Sequence, residues 1–121
     1  MNTLVMILVA FVALQHLGFL ALEMFFWTKP LGRKIFRTTE SVAKDSAALA
    51  ANQGLYNGFL AAGLIFSLLT SNETVAHSFQ VFFLGCVIVA GVFGAATVSR
   101  RILFIQALPA AVTFALVLCC R

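Results

Sequence analysis

Residues 3–28 read TLVMILVAFVALQHLGFLALEMFFWT, an apolar run interrupted only by Gln15, His16 and Glu23 before Lys29 and Pro30 close it. Roughly 20 apolar residues in a helix cross a hydrocarbon core, and this run exceeds that length. Polar and apolar positions do not alternate as they would in a half-buried strand. Pro30 disfavours helix at the residue before it. The run has no basic leading region and no small-residue cleavage pattern after a short apolar stretch, so it reads as a retained transmembrane helix and not as a cleaved signal.

Working outward, the same composition continues. Of 121 residues, 62% are apolar and 10% charged, whereas a soluble domain is about half apolar and a quarter charged; a soluble globule is excluded. Further spans are expected over residues 46–70, 75–98 and 102–120. The polar turns Ser71-Asn72-Glu73-Thr74 and Ser99-Arg100-Arg101 separate the last three. Between the first two lies a basic loop, residues 29–45, in which Glu40, Ser41 and Lys44 are expected to form an interfacial helical turn. Only helices or closed barrels satisfy their backbone groups in lipid, and these runs are too long and too uniformly apolar for barrel strands. Short connections make successive helices antiparallel. The expected fold is all-α, a four-transmembrane-helix up-down bundle forming a single domain over residues 1–121.

Eight Lys+Arg against four Asp+Glu give a formal charge of +4. Their placement speaks for topology and against a nucleic-acid partner. Lys29, Arg33, Lys34, Arg37 and Lys44 share the first loop, Arg100 and Arg101 the third, and Arg121 is last. By the positive-inside rule these loops face the cytoplasm, which makes the chain a multi-pass protein of the inner (plasma) membrane with both termini outside. Trp27, beside Phe25 and Phe26, fits the aromatic belt at the cytoplasmic boundary. Cys86, Cys119 and Cys120 show neither disulfide nor metal-ligand spacing and read as small apolar residues; no cofactor or metal is expected.

Small residues mark close helix contacts in lipid. In the second span Ala47, Gly54, Gly58 and Ala61 form one stripe, and in the third Ala90, Gly91, Gly94 and Ala95 form another. Both stripes read as packing within the chain, with homo-oligomerisation through Gly54 and Gly58 as the alternative. Pro109 cannot donate to the carbonyl of Ile105, so a kink or a free acceptor is expected there.

Ionisable groups within a span cost roughly 2.5–3.5 kcal/mol on insertion scales, and each calls for a partner or a task. His16 and Glu23 are seven residues apart, on nearly one helical face, and Trp27 extends that face by a turn. Asn52, Gln53, Tyr56 and Asn57 cover an arc of about 140° at the helical period, and Gln106 heads a stripe on the fourth span. In the expected orientation Glu23, Gln53 and Gln106 lie at a similar depth. The polar residues His16, Glu23, Trp27, Asn52, Gln53, Tyr56, Asn57 and Gln106 are therefore the candidate ligand-binding set. The structural alternative is hydrogen-bond glue between helices, worth about 0.6 kcal/mol per bond. His77 reads as a solvated residue at the outer turn.

At these positions the sequence resembles the bacterial membrane family labelled domain of unknown function 1304. The resemblance rests on His16 with Glu23-Met24 and Trp27, on the ten residues from Asn52 to Ala61, and on Gln106 with Pro109-Ala110. It covers nearly the whole chain. It implies a small four-helix integral membrane protein with these polar positions as its hallmark, and no particular activity.

Three functions are compatible with this reading. The first is binding of a small amphipathic or lipid-soluble molecule, which needs a concave site with a few convergent polar groups. The second is a membrane enzyme in which Glu23 or His16 moves a proton as acid or base. The third is an accessory or structural subunit, or a small transporter formed by oligomerisation, whose polar face is satisfied by a partner. An enclosed cavity favours the first two, and an outward polar face favours the third.

Overall fold

The computed structural model describes residues 1–120; Arg121 lies outside them. It consists of helices joined by short turns: α1 (Thr3–Met24), α2 (Pro30–Phe36), α3 (Glu40–Leu69), α4 (Glu73–Thr97), a π-helical turn (Leu103–Ala107) and α5 (Leu108–Cys119). No strand occurs among the described residues. The chain is all-helical, as its composition implies.

The helix boundaries differ from the sequence reading in informative ways. The apolar run stops being helical at Met24, where the N–H groups of Phe25 and Phe26 both donate to the Ala21 carbonyl, at 2.9 and 3.2 Å. Pro30 then opens α2 instead of ending a helix, because in the first turn its missing N–H forfeits nothing. The basic loop thus contains a helix of its own. Further along, α3 starts at Glu40, ahead of the expected 46. Thr39 caps it by accepting the Val42 N–H at 3.2 Å, Glu40 complements the dipole, and alanines at 43, 47, 48, 50 and 51 favour helix.

Two helices are long and apolar enough to cross a membrane. These are α1, with 22 residues and a mean hydropathy of 2.3 in its most apolar window, and α4, with 25 residues and 2.2. Only 28% and 22% of those windows is buried, whereas the core helix of a soluble protein would bury most of its length. Phe11, Leu14, Phe82, Val89 and Phe93 project outward. The remaining long helix, α3, is diluted by its four polar residues at 52, 53, 56 and 57. The segment Leu103–Cys119 is a shorter apolar helix.

The chain divides into two compact units, one formed by Met1–Ala13 with the residues from Ala62 onward, the other by Leu14–Ala61. In the first unit, α4 packs on the π-helical turn and α5. A Cβ at Gly91 would lie 2.8 Å from the Ala107 backbone nitrogen, and one at Gly94 3.1 Å from Ile102 Cγ2; the small-residue stripe therefore serves packing within the chain. Phe66 and Phe79 stack at 4.8 Å, and Leu64, Leu84, Val87, Ala110 and Val117 are buried. The Asn72 side chain caps α4 by accepting the Val75 N–H at 3.1 Å. Just ahead of Pro109 the Leu108 N–H reaches back to the Leu103 carbonyl in the i to i+5 pattern of a π-helix.

In the second unit, the C-terminal half of α1 lies on α3. A Cβ at Gly54 would meet Met24 Cγ at 2.7 Å and the Leu20 carbonyl oxygen at 3.2 Å, and one at Gly58 would meet Leu20 Cδ1 at 2.7 Å. The Gly54-x-x-x-Gly58 pair is thus occupied by α1 of the same chain. Next to it α2 folds against the turn after α1. Gly32 is buried there, and a Cβ on it would collide with the Phe26 carbonyl. Arg37 ends α2 in the left-handed conformation at φ 55°, with the Thr38 N–H donating to the Arg33 carbonyl at 3.0 Å.

Candidate polar site on the Leu14–Ala61 unit

Seven of the eight candidate residues fall within this unit, and the helices bring two of them into direct contact. The Asn57 amide donates a hydrogen bond to the Glu23 carboxyl oxygen. The contact follows from helix geometry. Gly54 and Gly58 let α1 approach, Asn57 lies at the edge of the seam they form, and Glu23 is the α1 residue whose Cβ would be 3.1 Å from a Cβ on Gly54. Both partners are half-buried.

From Asn57 the polar arc of α3 runs away from this seam. Gln53 comes next, then Tyr56 and Asn52, and all three are exposed, Tyr56 at 54%. Tyr56 leans on Phe59 with ring centroids 5.9 Å apart. The result is a polar band with a half-buried root, Glu23 and Asn57, and an outward rim of amides and a phenol. Such a band offers a carboxyl, carboxamides acting as both donor and acceptor, and a hydroxyl, all suited to a small polar head.

The other candidates are placed differently. His16 is fully buried, with its ring edge-on to Phe19 at 5.2 Å. Trp27 donates its indole N–H to the Ser46 hydroxyl at 3.0 Å and packs on Phe36 at 4.8 Å. Ser46 in turn donates to the Val42 carbonyl at 2.6 Å. Trp27 is thereby a tie between the post-α1 turn, α2 and α3. Ser46 and Gly32 were missed by sequence reasoning, since a serine in an alanine-rich helix and one glycine among cations carry no periodic signal. Gln106 belongs to the other unit, in the π-helical turn.

Two concavities stand out, and both lie in that other unit. One, of about 150 Å³, is lined by Met1, Val5, Glu73, His77, Gln80 and Cys120 among others. Within it the Met1 amino group pairs with Glu73 at 3.5 Å, and the Gln80 amide reaches the Met1 sulfur at 3.2 Å; His77 thus lines a pocket. The second is an apolar groove beside the π-helical turn. Among the described residues no group of three or more His, Cys, Asp or Glu is placed to hold a metal ion.

Two apolar helices of membrane-crossing length with largely uncovered surfaces, together with a polar band anchored by a carboxyl–carboxamide bond, characterise a small all-helical protein. The chain belongs to the family described as "Protein of unknown function (DUF1304)", whose sequence model matches residues 10–118. No curated protein and no solved structure matches the chain.

Proposed function

We propose that this chain crosses the inner (plasma) membrane four times as an up-down bundle and holds a small amphipathic or lipid-soluble molecule on the polar band around Glu23 and Asn57. In this reading α3 and the segment from Ile102 to Cys119 cross alongside α1 and α4. Both termini face outward, and the cation-rich segments at 29–44 and 100–101 face the cytoplasm.

The observation that carries the proposal is the Glu23–Asn57 hydrogen bond with Asn52, Gln53 and Tyr56 exposed beside it. An amide directed at hydrocarbon has no water to bond and needs a partner. A molecule with a polar head and an apolar tail supplies one. Its head meets the carboxyl, the amides and the phenol, while Phe59 and Leu55, also exposed, flank its tail.

The outward turn of the rim, the feature that favours a partner, supports a second reading, in which a second copy of the chain covers the rim, amide against amide. Native mass spectrometry of gently solubilised protein separates the two. Wild type is expected to retain a defined small molecule that Asn57→Ala and Tyr56→Phe lose while remaining monomeric. Wild type carrying no bound mass, with dimers that the same variants dissociate, would overturn ligand binding in favour of self-association.

A further inference from the structure

The apolar groove in the first unit follows from two features of its sequence. Gly91 and Gly94 draw α4 against Ala107 and Ile102, and the wide π-helical turn ahead of Pro109 interrupts the regular succession of side chains on the opposing segment. Turns of this type often occur at functional sites. The groove is about 300 Å³ in volume, and Ile88, Val92, Leu103, Phe104, Ala107 and Ala111 contribute to its lining, which is entirely apolar. Leu103 and Phe104 are at its upper end, directly after Arg100 and Arg101. From Arg101 to Ala111 the chain descends about 15 Å at the helical rise, half of a hydrocarbon core of roughly 30 Å. In the four-crossing arrangement proposed above, on which this inference rests, the groove is one leaflet deep.

Its upper end is positively charged and uncompensated. Arg100 and Arg101 are both exposed. The sole acidic residue of this unit, Glu73, begins α4 at its far end, about 36 Å away along the helix, and is paired with Met1. Among the described residues neither arginine forms an ion pair. Guanidinium groups match phosphate geometry and bind it in bidentate fashion.

We propose that this groove holds an acyl chain of an anionic phospholipid whose phosphate is bound by Arg100 and Arg101. A one-leaflet apolar slot and a cation pair at its top fit both ends of that molecule at once. The site uses none of the residues of the polar band.

The test is a titration of delipidated protein in detergent with phosphatidylglycerol or with phosphatidylcholine of the same chains, counting bound lipid by native mass spectrometry. Phosphatidylglycerol is expected to bind at concentrations where phosphatidylcholine does not. Arg100→Gln and Arg101→Gln should each weaken it by about fivefold. Ala111→Phe, which fills the groove from an exposed position, should weaken both lipids, with the helical far-UV spectrum and melting temperature retained. Equal binding of the two lipids, binding indifferent to Ala111→Phe, or inorganic phosphate competing as effectively as the lipid would each overturn the proposal. So would a wild-type dimer that Ala111→Phe dissociates, since the groove would then belong to a second copy.

Discussion

A single methyl group added at Gly91 measures how closely α4 packs on the π-helical turn. The new Cβ would lie 2.7 Å from Ala107 Cβ, 2.8 Å from its nitrogen and 2.9 Å from its Cα, whereas carbon atoms rest at about 3.5–4.0 Å. The backbone of Ala107 must therefore retreat by about 0.7–1 Å, a gap that forfeits a quarter to a half of each neighbouring contact. Overpacking of this kind costs about 1–3 kcal/mol, and backbone atoms, unlike a side-chain end, cannot rotate away. Replacing glycine in a helix returns about 1 kcal/mol, leaving Gly91→Ala destabilised by up to about 2 kcal/mol. Gly85 in the same helix has nothing within 4 Å of its added Cβ, so Gly85→Ala keeps only the gain. The two variants should move in opposite directions in equilibrium unfolding in mixed micelles followed by circular dichroism. Gly91→Ala as stable as Gly85→Ala would refute the close packing.

Other perturbations have equally definite outcomes. Removing the Glu23–Asn57 bond by Asn57→Ala should lower stability by about 0.6–1.7 kcal/mol, and a double-mutant cycle with Glu23→Ala should return a coupling in that range, whereas additive effects would show that the two groups do not interact. Gly32→Ala places a methyl on the Phe26 carbonyl and should release α2; Trp27, the one tryptophan of the chain, reports this as a red shift of its emission. Arg37 holds a left-handed φ of 55° that disfavours a side chain by about 1–2 kcal/mol. Arg37→Gly should therefore raise the unfolding midpoint slightly, and a lowered midpoint would place the value of this position in its side chain.

The helical class was legible because it depends on composition and run length alone, which lipid-scale arithmetic converts directly into helices. The Glu23–Asn57 contact was legible in part: the glycine seam on α3 and the polar arc beside it are periodic, and whatever helix lies on Gly54 and Gly58 must meet Asn57 at the edge. Three features escaped. The stop at Met24 is marked by the Phe26 N–H bonding five residues back to Ala21 in place of four, which composition does not foreshadow. Helix α2 is seven residues with two cations, Arg33 and Lys34, stabilised by docking of Gly32 and Phe36, a tertiary effect that overrides a loop-like local pattern. A kink or a free acceptor is what the sequence predicts at Pro109, whereas the π-helical turn just ahead of it, which opens a groove, depends on how α4 packs against that segment. Trp27 shows the same limit: the sequence suggests a belt position, while its bond to Ser46 depends on the turn geometry.

The claim beneath the whole account is that α3 and the segment Ile102–Cys119 cross the bilayer together with α1 and α4. Its most direct test is single-cysteine labelling in sealed inner-membrane vesicles, on a background in which Cys86, Cys119 and Cys120 are replaced. Cysteines at Thr39 and Ser99 should react from the cytoplasmic side, one at Asn72 from the opposite side, and those at Phe59 and Val112 from neither. Phe59 and Val112 reacting freely with a membrane-impermeant reagent, or Asn72 and Ser99 reacting from the same side, would contradict four crossings.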